Sequence, residues 1–271
     1  MQMLECRNIR IKKIEELKNN QIGDITLAVI QIGDFIENQI YLNSKKKLAL
    51  KLGVKVIDLK YDKNSSKEEI VDKILELNNN KEITGIMIQK PVLDKYNYSE
   101  LVNLIDYRKD IDGVGKANKD NLVNGDYCIV PCTVKAILMV FDEYNMSLRD
   151  KKIVIVGKSD LVGMPLYNLL KNKYDVILCD SKTPNLSDVT INADIVVVAI
   201  GKANYFDRKY FRNGQVIIDV GANYLNGKLV GDVDFDSIKD LSVAITPVPG
   251  GVGQLTPVCL FSNLFEIKKN S

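Results

Sequence analysis

Short runs rich in Ile and Val alternate with helical patterns along the chain, and this alternation restricts the fold more than any other feature. In the first half, apolar runs at 25–32, 54–59 and 83–88 are typical of buried strands, with a helix predicted between each pair. A strand–helix–strand order indicates a parallel sheet, because parallel neighbours need a crossover connection. The chain is therefore predicted to be an α/β protein.

A second set of apolar runs begins near residue 150. Its predicted strands are 153–156, 176–179, 195–200, 216–220 and, as a further candidate, 242–245. The 271 residues have room for two domains, since about 100–200 residues per domain is usual. We predict an N-terminal α/β domain over 1–120 and a second, doubly wound α/β domain over 121–254. The helical pattern of 255–271 is expected to pack back on the first domain.

The chain contains no histidine, which narrows the chemistry that it can perform. A Ser-His-Asp triad, a Cys-His pair and a His-based metal site are all excluded. General acid–base work must fall to Lys, Tyr, Asp or Glu. The five cysteines are odd in number and scattered, as expected for reduced thiols, so neither a disulfide framework nor a metal site is predicted.

Charge and hydropathy argue against nucleic-acid and membrane partners. The 37 basic and 35 acidic residues give a net charge of +2, too small to attract nucleic acid. No stretch approaches the roughly 20 apolar residues of a membrane span, and the N-terminus lacks the apolar core of a signal peptide. We therefore expect a cytoplasmic protein with a small-molecule substrate.

A glycine-containing turn links the strand at 153–156 to the next helix, with the sequence GKSDLVGMP over 157–165. Glycine lets the backbone approach a pyrophosphate, and the helix N-terminus supplies N–H donors. Ser159 stands where a G-x-G-x-x-G motif has its second glycine, so spacing alone leaves a plain strand–helix turn as the alternative. The next strand ends at Asp180 and Ser181, where such folds contact the adenosine ribose. This context favours a dinucleotide site.

The same turn resembles the G-R-S-x-x-V-G-x-P element of the methylenetetrahydrofolate dehydrogenase/cyclohydrolase family, the bifunctional FolD family. Other segments resemble family motifs in the same order: KDIDG at 109–113, PCT at 131–133, DVG at 219–221, GDVDF at 231–235 and TPVPGGVG at 246–253. The resemblance covers nearly the whole chain, and it implies that 1–120 is a folate/catalytic domain and 121–254 a Rossmann-like NAD(P)-binding domain. It implies oxidation of 5,10-methylenetetrahydrofolate with NADP and hydrolysis of the methenyl product to 10-formyltetrahydrofolate, in one-carbon metabolism that supplies purine biosynthesis.

Tyr41 and Lys45 lie four residues apart, hence on one face of the predicted first helix. Taken alone, they are more typical of a packed tyrosine and a snorkelling lysine. The resemblance implies instead that Tyr41 stacks on folate and that Lys45 handles the proton, with Gln89 as its hydrogen-bond partner. Asp112 matches the aspartate that grips the pterin ring, with a simple turn aspartate as the alternative.

The resemblance also assigns the dinucleotide contacts. The residues implied are Gly157, Lys158, Ser159, Val162, Gly163, Pro165, Asp180, Ser181 and Thr133. Lys158 and Ser181 correspond to the arginine and serine that hold the NADP 2′-phosphate. Asp180 replaces a frequent histidine and could accept from a free ribose hydroxyl, so NADP is expected, with NAD as a possible second cofactor. The loop of Pro249, Gly250 and Gly251 is expected where folate and nicotinamide meet, with a plain loop as the alternative.

Four positions depart from the family motifs: Lys90 and Leu93 in Q-L-P-L-P, Gly115 after the aspartate–glycine pair, and Asn38 in place of a serine. These departures bear on substrate affinity and on the balance of the two activities. The alternatives are a dehydrogenase without cyclohydrolase activity, a non-catalytic folate- or dinucleotide-binding paralogue, and an unrelated two-domain dehydrogenase. A homodimer is implied by the resemblance alone.

Overall fold

The computed structural model describes residues 1–20, 22–126 and 129–270, apart from the side chains of Glu37, Ile40 and Tyr41. The strands are β1 (Gln2–Met3), β2 (Ile25–Ile32), β3 (Val54–Tyr61), β4 (Gly85–Ile88), β5 (Lys152–Val156), β6 (Asp175–Cys179), β7 (Ile195–Val198), β8 (Val216–Asp219), β9 (Asn223–Leu225), β10 (Lys228–Val230) and β11 (Ala244–Ile245). The helices are α1 (Arg7–Asn19), α2 (Ile36–Lys51), α3 (Lys67–Asn79), α4 (Tyr98–Val102), α5 (Lys116–Asn124), α6 (Cys132–Glu143), α7 (Gly163–Leu170), α8 (Leu186–Ile191), α9 (Phe235–Ile238) and α10 (Thr256–Lys269).

The chain divides into two compact units. One consists of Met1–Lys12 and Thr133–Thr256, and we call it the six-stranded unit. The other consists of Lys13–Cys132 and Pro257–Ser271, and we call it the three-stranded unit. Within the described ranges, no helix combines the length and apolar character that crossing a membrane requires.

The three-stranded unit is built on a parallel sheet of order β3-β2-β4. All eight residues of β2 are buried, as expected for a central parallel strand that is covered on both faces. The predicted capping box of α3 is confirmed, since Ser66 and Glu69 exchange hydrogen bonds at its N-terminus. α2 follows β2 directly, and residue 89 follows β4. The carboxyl edge of this sheet therefore positions the candidate catalytic residues.

The six-stranded unit contains a fully parallel sheet of order β1-β11-β8-β7-β5-β6. The chain passes from β5 to β6 on one side and then crosses to β7 on the other side of β5. This reversal is the topological switch point, at whose carboxyl ends doubly wound folds bind their ligands. The predicted strands of this half are confirmed, and the sheet is Rossmann-like.

The limits of the units differ from the predicted 1–120 and 121–254. β1 pairs with β11, in the register Gln2 to Ala244 and Met3 to Ile245, so the first residues belong to the six-stranded sheet. The change between units falls at 132/133, where α6 begins. A two-residue strand has no periodicity to read, which is why the sequence pattern did not indicate this pairing.

Candidate functional site

Lys45 and Gln89 are joined by a direct hydrogen bond in the three-stranded unit. The Lys45 Nζ donates to Gln89 Oε1 at 2.5 Å. The Gln89 Nε2 donates in turn to the carbonyl oxygen of Lys90 at 2.9 Å, and this contact leaves the amide oxygen facing the lysine. Lys45 lies on α2 and Gln89 directly follows β4, so the hydrogen bond joins the helix to the end of this strand. The structure thus brings together two residues that the sequence separates by 44 positions.

The Lys45 amine lies in surroundings that favour its neutral form. Burial lowers the pKa of Lys45 from its ordinary value, and the negative charges that Asp112 and Cys132 can carry oppose this change. A lysine with a lowered pKa can accept a proton closer to neutral pH than a free lysine can. In a chain without histidine, this amine is suited to general acid–base chemistry.

Asp112 is the acidic partner of this site. Burial raises the pKa of Asp112 to about 6, while nearby Lys45 acts in the opposite direction. The Cys132 Sγ lies 3.8 Å from Asp112 Oδ1 and 3.6 Å from the carbonyl oxygen of Ile111. Each charged group therefore moderates the effect of burial on the other, and Lys45 and Asp112 form an electrostatically coupled pair.

The loop that carries Asp112 is held by a second, buried carboxylate. Asp110 accepts hydrogen bonds from the backbone N–H of Gly113 at 3.1 Å, from that of Gly115 at 2.8 Å and from Asn118 Nδ2 at 3.0 Å. A Cβ atom on Gly115 would lie 3.1 Å from Asp110 Oδ2. The loop therefore packs closely around Asp110 at Gly115, one of the departures from the family motifs.

Asn263 of α10 holds the same loop from its other side. Its Nδ2 donates to the carbonyl oxygens of Ile111 at 2.8 Å and Val130 at 2.9 Å. Asn263 is fully buried. The sequence analysis did not identify Asn263 or Asn118, since neither lies in a local motif. Asp110 lies in the KDIDG motif, but no role was assigned to it.

The departure at Lys90 places a cation beside the site. The Lys90 Nζ lies 3.9 Å from the centroid of the Tyr98 ring, a cation–π contact. Burial lowers the pKa of Lys90, and Asp112 opposes this change. Leu93 packs on the hydrophobic core of the unit. The side chain of Tyr41 lies outside the described part of the structure, so its stacking on folate stays a prediction.

The turn after β5 requires glycine at two places. Gly157 has a φ of +118°, and a Cβ there would lie 2.3 Å from the carbonyl oxygen of Ala199. A Cβ on Gly163 would lie 1.6 Å from the carbonyl oxygen of Gly157. The Ser159 Oγ accepts from the N–H of Val162 at 3.2 Å, which closes the turn as α7 begins. This tight backbone, at the switch point of the sheet, is a cradle of the kind that holds a pyrophosphate.

Lys158 and Asp180 form an ion pair beside this turn, with 2.9 Å between Nζ and Oδ2. Asp180 also accepts from the backbone N–H of Lys182 at 2.9 Å. Lys158 is the main cause that lowers the pKa of Asp180. Ser181 is exposed next to the pair. The predicted phosphate-binding lysine therefore already has an anionic partner within the chain.

The predicted TPVPGGVG loop belongs to the six-stranded unit. Gly250 has a φ of +119°, and a Cβ on Gly251 would lie 2.5 Å from the carbonyl oxygen of Pro247. The Gly250 carbonyl oxygen accepts from the N–H of Cys6 at 3.0 Å. The glycines are thus required by the backbone of the loop itself. Thr133, predicted as a cofactor contact, lies half-buried in α6 of the same unit.

A doubly wound sheet with a glycine cradle at its switch point, in one chain with a lysine–glutamine–aspartate site, defines a two-domain NAD(P)-dependent enzyme. Residues 131–271 match the model for the NAD(P)-binding domain of tetrahydrofolate dehydrogenase/cyclohydrolase, and residues 4–112 match the model for its catalytic domain. The chain therefore belongs to the tetrahydrofolate dehydrogenase/cyclohydrolase family, and the resemblance seen in the sequence motifs is confirmed.

Individual proteins agree with this assignment. The bifunctional protein FolD of Clostridium novyi (strain NT) is 38% identical over 256 residues, which cover 94% of this chain and 92% of that protein. The crystal structure of the bifunctional enzyme FolD from Campylobacter jejuni has a TM-score of 0.95 at 35% identity, covering 100% of this chain and 99% of the other. The Trypanosoma brucei dehydrogenase–cyclohydrolase, complexed with NADP cofactor and inhibitor, has a TM-score of 0.89 at 27% identity and covers 99% and 97%.

Proposed function

We propose that this chain oxidises 5,10-methylenetetrahydrofolate to the 5,10-methenyl cation and then hydrolyses that cation to 10-formyltetrahydrofolate. The single observation that carries the proposal is the Lys45–Gln89 hydrogen bond beside Asp112, in a chain of this family. The site offers a proton acceptor without histidine, and its amine and carboxylate influence each other. Hydrolysis needs such a group, whereas ligand binding alone does not.

In the hydrolytic step, Lys45 is the general base and then the general acid. Water forms a C–O bond to the methenyl carbon and gives a proton to the neutral Lys45 amine. The C–N bond to the leaving ring nitrogen then breaks as the hydroxyl group of the adduct becomes the formyl C=O and releases its proton to solvent, and the Lys45 ammonium returns a proton to the nitrogen. Gln89 orients the amine without adding a charge. One proton is released overall, because a cation and water give a neutral formyl product.

Asp112 is proposed to bind the substrate and not to transfer the proton. A carboxylate can accept two N–H donors from the 2-aminopyrimidine edge of a pterin. The pKa of about 6 leaves Asp112 mostly ionised at neutral pH, so it is ready to accept both hydrogen bonds. Tyr41 is proposed to stack on the folate, on the strength of the family motif alone.

The dinucleotide is proposed to be NADP, which a related Trypanosoma brucei enzyme binds, and when bound it supplies the hydride acceptor. The chain fits such a ligand because Gly157 and Gly163 have no room for a Cβ. Residues proposed to hold it are Gly157, Lys158, Ser159, Val162, Gly163, Pro165, Asp180, Ser181 and Thr133. The loop of Pro249, Gly250 and Gly251 is proposed to contact both the folate and the dinucleotide.

Rate measurements on both reactions test the proposal. Methenyltetrahydrofolate formation from the methylene substrate should require dinucleotide, and added methenyltetrahydrofolate should decay faster with enzyme in the absence of dinucleotide. Formation without enzymatic decay would leave a dehydrogenase alone. If neither reaction is catalysed with NADP or NAD, the proposal fails in favour of a binding paralogue or of an unrelated dehydrogenase.

The location, oligomeric state and pathway of the enzyme are proposed from the family alone. We expect a cytoplasmic homodimer that supplies one-carbon units for purine biosynthesis, with the subunit contact in the dinucleotide-binding domain. Light scattering after gel filtration at micromolar concentration should give twice the chain mass of 30.4 kDa. A monomeric mass under these conditions would remove the dimer from the proposal.

A further inference from the structure

Two side chains of α2 are tied to the same short segment that follows β4. Lys45 donates to the side chain of Gln89 at 2.5 Å, and Asn38 Nδ2 donates to the carbonyl oxygen of Pro91 at 2.9 Å. Asn38 and Lys45 are seven residues apart, two helical turns, and so lie on one side of α2. The segment from Gln89 to Pro91 is therefore held against the helix at both of its ends.

The Asn38 side chain makes this contact although, within the described part of the chain, its own amide oxygen is left unsatisfied in a buried site. The residue is fully buried, and its Oδ1 has no hydrogen-bond partner among the described residues. Turning the amide round would place Oδ1 against the Pro91 carbonyl oxygen, and two acceptors repel. A buried acceptor without a donor destabilises a fold, and a leucine of similar size would avoid that cost. Stability alone does not account for asparagine at this position.

The contacts run without interruption from Asn38 to the Lys45 amine. Asn38 fixes the carbonyl group of Pro91, and with it the Lys90–Pro91 backbone. The carbonyl oxygen of Lys90 accepts from Gln89 Nε2 at 2.9 Å. This contact sets the direction of the Gln89 amide, whose Oε1 accepts from Lys45. A shift of the Pro91 backbone would therefore move the group that orients the lysine.

We propose that Asn38 is a positioning residue, which sets the orientation of Lys45 through the Pro91 backbone and Gln89. The inference rests on the proposed roles of Lys45 and Gln89 in hydrolysis. It gives a specific function to the departure from the family serine at this position. A serine hydroxyl can also donate to a carbonyl oxygen, but it is shorter and leaves no orphaned amide oxygen.

Asn38→Leu tests the inference, because it removes both polar atoms at similar volume. We expect the kcat of methenyl hydrolysis to fall about 10- to 100-fold, the range that a displacement of about 1 Å can cause, with little change in KM. The melting temperature should stay close to that of the wild type, because the variant removes the orphaned oxygen and also the donor to the Pro91 carbonyl oxygen. Asn43→Leu, an exposed position on the same helix, is the matched control and should leave both quantities unchanged.

A double-mutant cycle with Gln89→Ala separates positioning from a general structural effect. If Asn38 acts through Gln89, Asn38→Leu should have little further effect on kcat or on the pH midpoint of hydrolysis in the Gln89→Ala background. Additive effects, or full activity of Asn38→Leu, would overturn the inference. Should the leucine variant not fold, Asn38→Ala enters the same cycle, and Asn38→Ser should retain more activity than either. A Gln89→Ala enzyme with wild-type hydrolysis would contradict the proposed function itself.

Discussion

The Asp180 carboxylate lies 2.9 Å from the Lys158 ammonium, at the carboxyl ends of β6 and β5. If Lys158 meets the 2′-phosphate of NADP, this carboxylate competes with the phosphate for the same cation and also repels it. A ribose with a free 2′-hydroxyl meets no such repulsion and can donate to Asp180. We therefore expect the pair to reduce the preference for NADP over NAD.

Asp180→Ala should lower the KM for NADP more than the KM for NAD. An exposed ion pair contributes little, so the expected change for NADP is about two- to fivefold, and added salt should reduce it. Initial rates with each dinucleotide, at low and high ionic strength, measure the effect. Asp175→Ala, exposed at the opposite end of β6, is the control. Equal responses to NADP and NAD would show that Asp180 does not face the ribose.

Lys45→Met should abolish most of the hydrolytic activity while the protein stays folded. Methionine keeps the apolar stem of the side chain and deletes the amine, and general acid–base groups contribute about 10²–10⁴-fold to rates. Decay of methenyltetrahydrofolate, followed by its absorbance, measures the loss. Hydride transfer is expected to fall less, since the role proposed for the amine in that step is to settle the substrate and not to transfer a proton.

Lys47→Met is the control for that variant, because Lys47 is exposed on the same helix. Lys46 is less suitable as a control, since its Nζ forms an ion pair with Asp58 Oδ2 at 2.8 Å. The other oxygen of Asp58 accepts a hydrogen bond from Gln31 Nε2. Hydrolysis at near wild-type rate in folded Lys45→Met would remove the lysine from the mechanism.

The KM for folate should depend on pH through the ionisation of Asp112. The pKa of about 6 lies above the usual value for an aspartate, so this carboxylate loses its charge as pH falls through about 6. A protonated acid cannot accept two hydrogen bonds from a pterin, and the KM should therefore rise below that pH. Asp112→Asn should have a raised KM that is independent of pH between about 5 and 8. A wild-type KM that is flat over this range would exclude Asp112 from pterin binding.

The same raised pKa predicts the sign of a stability effect. A carboxyl group whose pKa is higher in the folded state stabilises the fold below its unfolded pKa, and this contribution is lost as pH rises through the folded value. As pH rises from about 4 to about 6, the free energy of unfolding of the wild type should therefore fall progressively relative to that of Asp112→Asn. Urea unfolding of both proteins across this range measures the difference, and a difference that grows in the opposite direction would contradict the assignment.

The elements that could be predicted from the sequence are those with a local signal. β2 is a continuous apolar run, α3 begins with a capping box, and the glycine turn at 157–163 has backbone geometry that only glycine tolerates. Each of these depends on residues close together in the chain. The right-handed crossovers expected between parallel strands then limit the topologies that these elements can form.

The features that could not be predicted depend on distant partners. β1 is two residues long and is defined only by its pairing with β11. The contact between Asn38 and Pro91 spans 53 positions, and no sequence pattern near either residue predicts it. The pairing of Lys158 with Asp180 also required the structure, although both residues were assigned to the cofactor site from the family motif. Side-chain contacts between elements follow from packing, which periodicity does not encode.

Asn263 provides a last test, because it links α10 to the loop that carries Asp112 from 152 positions away. Asn263→Ala would leave the carbonyl oxygens of Ile111 and Val130 without this donor in a buried site. Each unsatisfied acceptor costs about 1–3 kcal/mol, so the free energy of unfolding should fall by about 2–6 kcal/mol.

The loop should also lose its fixed position, which raises the KM for folate more than it changes the KM for dinucleotide. Urea unfolding and initial rates measure the two effects, and Asn270→Ala, exposed beyond the end of the same helix, is the control. An Asn263→Ala protein with lowered stability and an unchanged folate KM would show that the loop keeps its geometry without this support, and Asp110 would then be sufficient to hold Asp112.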